Sequence, residues 1–228
     1  MKASQTARER ARAELTSEIT RTARRHLATE GAAGLSLRAV ARDLGMASSA
    51  VYRYFPSKDE LLTTLIIDSY NALGRAVEEA DAARDTSDFP GRWRASCHAV
   101  RDWALAHPHE YALLFGSPVP DYRAPRDTVG PASRSTAVLA RIVVEAHRAG
   151  ALRAAERPHP DAGPLKLSPT VRELFCDSPE EVVARALSAW TSLYGWIGFE
   201  VFGQLDGVLE GRESAFSRHV AYLADVLF

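Results

Sequence analysis

Apolar residues recur every three or four positions along most of the chain, which is the spacing of one face of an α-helix. The first run predicts a helix from about residue 6 to residue 30, which Gly31 ends. Helical signals dominate the rest of the chain as well, and the pattern therefore predicts an all-α fold. The apolar positions of the first helix are Leu15, Ile19, Ala23 and Leu27.

The stretch LSLRAVARDLGMASSAVYRYFPSKDELL contains two short helical patterns separated by one glycine. Ser36 is a good N-cap for the first helix, whose apolar stripe ends at Gly45. Ser48 or Ser49 is expected to cap the second helix, which ends before Pro56 because the residue before a proline avoids helical geometry. Two short helices joined by a tight turn, with the second one exposed, predict a helix-turn-helix.

Polar and basic side chains occupy the outer face of the second short helix and its surroundings. Serine and tyrosine hydroxyls donate hydrogen bonds to phosphate oxygens, and lysine and arginine attract phosphates by charge. Small residues from Ala47 to Ala50 allow close approach to base edges in the major groove. Arg38 has two open roles, reading a guanine or binding a phosphate. The predicted DNA contacts are Ser36, Arg38, Ser48, Ser49, Tyr52, Arg53, Tyr54 and Lys58.

Charge is divided unevenly along the chain. Residues 1–60 contain eleven Lys or Arg and seven Asp or Glu, a net charge of +4, and the remainder carries −5 of the total charge of −1. A basic N-terminal part joined to an acidic remainder indicates that only the N-terminal part binds a polyanion. A solvated charged face gives the same count, so charge alone does not separate these two interpretations.

Several features of the helix-turn-helix stretch occur together: Ser36, Ala41, the turn at 44–46, the cluster at 51–55 and the helix start at 57–62. Together they resemble the DNA-binding segment of the tetracycline-repressor-like (TetR) family of bacterial one-component regulators. This resemblance implies a dimer that binds palindromic operator DNA. It also implies a variable helical C-terminal domain that binds small molecules.

The remainder of the chain predicts a helical body interrupted by two stretches rich in proline and glycine. These stretches, GSPVPDYRAPRDTVGPASRS and ERPHPDAGPLKLSPT, are longer than usual connections. At least one is therefore expected to cover a cavity or to move, unless both are disordered linkers. Helices are predicted at about 89–106, 108–115, 137–149, 179–205 and 210–227.

The helix predicted at 179–205 is apolar on nearly every side, so it must be buried both against its own core and against a second surface. With the final helix it is expected to form a four-helix interface in a homodimer. It resembles the late helix of a TetR-like subgroup, in which a tryptophan precedes a (His or Tyr)-Gly pair. Here these residues are Trp190 and Tyr194-Gly195.

Aromatic residues on several helices of the body indicate a site for a small, largely apolar effector molecule. Tyr194 is the expected polar anchor of this site. A solid aromatic core without a cavity is the alternative, because aromatic residues at helical spacing commonly pack together. The predicted ligand residues are Trp93, Trp103, Phe115, Trp190 and Tyr194.

Other features argue against a membrane protein and against a metal site or a catalytic site. No apolar run approaches the roughly 18 to 20 residues of a membrane-spanning helix, and the N-terminus lacks the apolar core of a signal peptide, so a cytoplasmic protein is expected. His107 and His109 have no nearby carboxylate or cysteine ligands, and the adjacent Cys97 and His98 point in different directions on a helix. The two cysteines have no metal spacing. We therefore predict no cofactor, no metal site and no catalytic residue.

These patterns predict two parts. Residues 1–80 form a DNA-binding head, with its core at about 16–76 and a connecting helix at about 58–80, and residues 81–228 form a regulatory and dimerisation domain. The predicted function is sequence-specific control of transcription by a repressor that a small molecule releases from its operator. The alternatives are a ligand-independent or architectural DNA-binding protein and, less favoured, an enzyme.

Overall fold

The computed structural model describes residues 7–154, 163–176 and 178–228. Within these ranges the chain forms ten α-helices, one short 3-10 helix at Arg126–Thr128 and no strand, which confirms the predicted all-α fold. None of these helices combines the length and the apolar character that crossing a lipid bilayer requires. The helices are α1 Ala7–Gly34, α2 Leu37–Asp43, α3 Ser48–Tyr52, α4 Lys58–Ala82, α5 Phe89–Ala106, α6 Pro108–Phe115, α7 Val129–Arg148, α8 Pro169–Phe175, α9 Glu180–Val201 and α10 Arg212–Leu227.

The helices group into two compact units, and neither unit is continuous in sequence. Among the described residues, the first unit contains residues 7–69 together with His107–Val129, and the second contains Tyr70–Ala106 and Gly130–Phe228. This division differs from the single predicted boundary at residue 80, because α6 and the segment after it group with the first unit. The functional roles that we assigned to the two parts stay predictions.

Helix α6 and the segment after it group with the first unit because their apolar side chains are partly buried against its core. Leu113, Val119 and Tyr122 pack against the apolar core of that unit, and the hydroxyl oxygens of Tyr122 and Thr63 lie 2.9 Å apart. The first predicted loop, as far as Val129, therefore packs within this unit, and its last residues form the start of α7. Residues 156–162 of the second predicted loop lie outside the described residues.

The apolar stripes of α1 to α4 meet in one core within the first unit. Gly31 interrupts α1 with a φ of 68° and a ψ of 175°, so the helical pattern breaks at the predicted residue although one further turn reaches Gly34. The predicted stripes of α1 and α2 are confirmed as buried faces. The buried residues of this core include Ile19, Ala23, Leu37, Val40, Ala41, Val51, Phe55, Leu61, Leu62 and Leu65.

Two helix starts differ from the prediction. The N-cap of α3 is Ala47, whose side chain makes no capping hydrogen bond, so Ser48 and Ser49 lie inside the helix and the predicted serine cap is wrong. Helix α7 begins at Val129 rather than near residue 137. Its Pro131 does not prevent this, because in the first turn a helix does not need the N–H that proline lacks.

A short helix, α8, lies where the sequence predicted the end of a loop. Its N-cap is Ser168, whose hydroxyl accepts a hydrogen bond from the backbone N–H of Val171, and Pro169 occupies the first turn. Both features are typical of helix starts. A helix of this length is too short to show an apolar period in the sequence, so its capping residues were the available signal.

The core of the second unit is built mainly from α5, α9 and α10, which contact one another pairwise. Trp93 and Cys97 of α5, Leu193 of α9 and Phe216 of α10 are almost completely buried. Helix α9 ends at Val201, earlier than predicted. Gly203, with a φ of 79°, takes the left-handed conformation that commonly follows the end of a helix.

Arginines of α5 and α7 hold the C-terminal half of α4 within the second unit. The guanidinium of Arg92 donates to both carboxylate oxygens of Asp81, at 2.7 and 3.2 Å, and Arg141 donates to the same carboxylate at 2.7 Å. Arg134 donates to both carboxylate oxygens of Glu78, at 2.9 and 2.6 Å. Burial raises the pKa of Asp81, but the hydrogen bonds from the two arginines outweigh burial, and the pKa lies below its ordinary value.

Candidate DNA-binding surface and ligand cavity

The turn between α2 and α3 sets the geometry of the candidate DNA-binding surface. Gly45 has a φ of 64°, in the left-handed region that glycine adopts most readily, and the backbone N–H of Met46 donates to the carbonyl of Ala41 at 2.9 Å. Helices α2 and α3 pack against each other across this turn. The predicted cap is also confirmed, since the hydroxyl of Ser36 accepts a hydrogen bond from the backbone N–H of Ala39.

Helix α3 buries one face and exposes the other. Val51 is fully buried, and Phe55, three residues beyond the helix end, is 5% exposed. Tyr52 lies on the opposite face and is 40% exposed. The outer face therefore combines hydroxyl and guanidinium donors with small residues. The predicted DNA contacts that the structure leaves exposed are Arg38, Ser49, Tyr52 and Arg53, and those that it half-buries are Ser36, Ser48, Tyr54 and Lys58.

Tyr54 does not project outward as the sequence predicted. It follows the end of α3 at Tyr52, and its ring packs partly against the core of the first unit. The guanidinium carbon of Arg12 lies 5.2 Å from the centre of this ring, within the range of a cation–π contact. The half-buried ring holds Arg12 of α1 beside the end of α3, and a phosphate contact of the Tyr54 hydroxyl stays a prediction.

Lys58 has a structural contact that the sequence did not indicate. Its Nζ donates to the carbonyl of Ala33 at 2.6 Å, joining the start of α4 to the end of α1. The last carbonyls of a helix have no partner within that helix, and Gly31 and Gly34 mark this end in the sequence. An ammonium group carries three donors, so Lys58 retains donors for a phosphate in addition to this contact.

Two arginines near this surface were not among the predicted contacts. Arg42 is exposed in the last turn of α2, and Arg12 is exposed on α1 beside Tyr54. The basic sequence around Arg12, ARERAR, was the available signal. Its position beside α3 depends on how α1 packs, which local sequence patterns do not show.

The second unit contains a cavity of about 110 Å³. Trp93 of α5 and Trp190 of α9 line it, as predicted for the ligand site, so the structure brings these two predicted residues together. Helix α7 contributes one side of the cavity and the unpredicted helix α8 another. The other lining residues are Thr136, Leu139, Ala140, Val171, Leu174, Phe175, Ala186 and Leu187.

Two of the other predicted ligand residues do not line this cavity. Trp103 is ten residues from Trp93 on α5, so it points about 80° away around the helix axis. Phe115 belongs to the first unit, where its ring centre lies 4.8 Å from that of Tyr111. Both predictions placed these residues in the cavity from their aromatic character, which does not specify the direction of a side chain.

Tyr194 is likewise absent from the cavity lining. Its hydroxyl oxygen lies 3.1 Å from that of Ser135, and its ring centre lies 5.7 Å from that of Trp190. Burial raises the pKa of Tyr194 to about 12, so its hydroxyl is neutral at physiological pH. The hydroxyl therefore already has a hydrogen-bond partner within the protein. The predicted role of Tyr194 as the ligand anchor is not supported by its position.

The described residues contain no metal-ligand cluster, and Cys97 is not a reactive thiol. No group of three or more His, Cys, Asp or Glu side chains in that part of the chain is arranged to hold a metal ion. Cys97 is fully buried, and burial raises the pKa of its thiol well above the ordinary value. A thiol in this environment is a poor source of the reactive thiolate.

Comparison with known families agrees with the geometry of both units. Residues 19–65 match the family described as "Bacterial regulatory proteins, tetR family". Residues 93–223, more than half of the chain, match the family described as "Tetracyclin repressor-like, C-terminal domain". The chain belongs to the TetR family of transcriptional regulators. The TetR family consists of regulators rather than enzymes, and this chain is accordingly a DNA-binding transcriptional regulator.

Similar proteins support this assignment over most of the chain. The HTH-type transcriptional regulator Rv1816 of Mycobacterium tuberculosis is 39% identical over 195 residues, which cover 85% of this chain and 83% of the relative. The regulator Mb1846 of Mycobacterium bovis gives the same values. Among solved structures, SCO4313, described as a regulatory protein, is 34% identical, has a TM-score of 0.73 and aligns over 96% of this chain and 98% of its own.

The candidate DNA-binding surface lies within the residues that match the DNA-binding part of the TetR family. All eight predicted DNA contacts, from Ser36 to Lys58, lie within the matched residues 19–65. Trp93 and Trp190 lie within the match to the C-terminal domain. The family resemblance predicted from the sequence is therefore confirmed, while the role of each side chain stays a prediction.

Proposed function

We propose that this TetR-family regulator is a homodimeric repressor that leaves its operator when a small, largely apolar molecule occupies the cavity between Trp93 and Trp190. The observation that supports DNA binding most directly is the exposed surface formed by Ser49 and Tyr52 of α3 and by Arg53 at its C-cap, while Val51 is buried. The proposed place of action is the cytoplasm. A relative supports repression: the transcriptional repressor DrrR1 of Streptomyces coeruleorubidus is 38% identical over 77 residues, 34% of this chain and 25% of that repressor.

The residues of the candidate DNA-binding surface have two proposed tasks. Tyr52, Arg53 and Lys58 bind phosphates, which fixes the position of α3 on the duplex without reading its sequence. Ala47, Ser49 and neighbouring small residues allow α3 to approach the base edges of the major groove. A palindromic operator follows from the twofold symmetry of a dimer, because each protomer presents the same α3 face to one half-site.

The dimer is proposed from apolar side chains that the second unit leaves in contact with solvent. Phe199 of α9 is 58% exposed, Tyr222 of α10 is 65% exposed, and Val208 between these helices is 69% exposed. Large apolar side chains that stay exposed on two neighbouring helices are typical of surfaces that bind other proteins. TetR-family regulators are typically dimers, and a second copy of this chain is the proposed partner.

Lys58→Ala is expected to weaken binding to all DNA sequences alike. Loss of one phosphate contact should lower the slope of log affinity against log salt concentration by about 0.9. The measurement is a titration of labelled operator and of unrelated duplex at several salt concentrations, with circular dichroism to check that loss of the Ala33 contact leaves the fold intact. Lys166→Ala, which removes the same charge from an exposed side chain of the second unit, is the control. An unchanged salt slope contradicts the phosphate role.

Arg38→Ala separates the two open roles of this exposed side chain on α2. If Arg38 reads a guanine, the variant should lose about 1–3 kcal/mol of discrimination at one operator position and bind altered bases there equally well. The measurement compares the affinities of wild type and variant for operators with single base changes. An equal loss of affinity for every duplex, with unchanged preference, assigns Arg38 to the DNA backbone.

A further inference from the structure

The walls of the cavity in the second unit carry no ionisable side chain. Of the ten residues that line it, Thr136 is the only one with a hydroxyl, amide or charged group apart from the two indoles. An ion placed there would lose its hydration without gaining a partner of opposite charge, which is strongly unfavourable. The lining therefore selects uncharged molecules.

The size of the cavity limits its occupant to a small molecule. Its volume of about 110 Å³ is somewhat smaller than the roughly 150 Å³ apolar cavity of an engineered protein that binds benzene. A single six-membered ring matches this scale, and a short substituent requires side chains at the rim to move. Fused ring systems and long acyl chains exceed it.

The two tryptophans of the cavity lining also indicate the polarity of the occupant. The indole N–H groups of Trp93 and Trp190 are buried, and neither has a hydrogen-bond partner within the described part of the chain. An indole N–H only donates hydrogen bonds, so an occupant with an acceptor oxygen would satisfy these groups where they meet the cavity. The hydroxyl of Tyr194 lies within hydrogen-bond distance of Ser135 instead.

We propose that the cavity binds a neutral monocyclic aromatic molecule that carries one hydrogen-bond acceptor, such as an aryl ester or an aryl ketone, and excludes the corresponding carboxylate. This inference rests on the proposed function only where it calls this molecule the effector. Binding itself depends on the cavity alone and is measured without DNA.

A matched pair of probes tests the proposal on the full chain. Methyl benzoate and benzoate share one ring, but only benzoate is charged at pH 7. Methyl benzoate should change the tryptophan fluorescence saturably and raise the melting temperature, with a dissociation constant at least tenfold below that of benzoate. Equal affinity for the two probes, or no saturable binding of methyl benzoate up to its solubility limit, overturns the proposal.

Cavity-filling variants locate the binding site. Ala186→Leu adds three carbon atoms to a residue that lines the cavity, and it should weaken methyl benzoate binding more than tenfold. Ala184→Leu is the matched control, because Ala184 lies on the same helix and does not line the cavity. If Ala186→Leu does not fold, Leu174→Phe on the partly exposed α8 replaces it. Unchanged binding by a folded cavity variant overturns the assignment to this cavity.

Operator titrations with and without methyl benzoate separate this inference from the proposed function. If methyl benzoate binds in the cavity but leaves operator affinity unchanged, the ligand class stands and release by this ligand is contradicted. If methyl benzoate does not bind while the protein binds its operator, the ligand class is overturned and the DNA-binding part of the proposed function stands.

Discussion

Replacing Arg101 with methionine is expected to lower the free energy of unfolding by about 3–5 kcal/mol, because it leaves a buried carboxylate without a partner. The guanidinium of Arg101 donates to both carboxylate oxygens of Glu200, at 2.8 and 2.7 Å. The two side chains are only 5% and 2% exposed. Arg101 also donates to Glu213 and lies over the ring of Phe216. One residue of α5 therefore contacts both α9 and α10.

Urea unfolding of two further variants distinguishes a buried charge from lost packing. The double variant Arg101→Met, Glu200→Leu should recover most of the lost stability, since a buried ion pair replaced by apolar residues of similar size is commonly neutral or stabilising. Glu213→Gln should cost less than about 1 kcal/mol, because Glu213 is largely exposed. A loss below about 1 kcal/mol for Arg101→Met contradicts this account of the second unit.

Placing glutamate at both Phe199 and Tyr222 is expected to convert the proposed dimer to a monomer. The carboxylates would repel each other across a twofold interface and would oppose burial of the surface. Affinity for a palindromic operator should then fall by a factor on the order of 10² to 10⁴, because two linked heads bind far more tightly than one. Sedimentation velocity gives the assembly state, and operator titration gives the affinity.

The control for this variant is Val129→Glu, which also charges an exposed apolar residue but lies in the first unit. It should leave both the assembly state and the operator affinity unchanged. A wild-type chain that sediments as a monomer at micromolar concentration contradicts the proposed dimer. A glutamate variant that remains dimeric shows instead that the interface lies on another surface.

Helices with a regular apolar period were predictable from the sequence because their signal is local. The prediction for α5, residues 89–106, is confirmed as Phe89–Ala106, and the break at Gly31 in α1 is confirmed by its positive φ. The assignment of His107–Val129 to the first unit was not predictable. Val119 and Tyr122 carry that segment into the core as isolated apolar residues, and isolated residues form no period.

The candidate sites show the same limit of local information. The exposed face of α3 followed from Val51 and Phe55, whose spacing of four residues defines the buried side. The half-buried position of Tyr54 depends on where α3 ends and on the distant Arg12. Of the residues that line the cavity, the two tryptophans were predicted from the sequence. Its α8 wall was not, because Phe175 and its neighbours form a helix too short to show a period.

The most direct test of the central claim is a selection of duplexes from a random DNA pool by the purified full-length chain, followed by sequencing of the retained DNA. The account predicts enrichment of one inverted repeat, with half-site centres separated by one helical turn of about 10 base pairs or a multiple of it. The double variant at Phe199 and Tyr222 should lose this enrichment. Retention of DNA without any enriched sequence, or enrichment of a single unrepeated half-site by the wild type, contradicts sequence-specific binding by a twofold dimer.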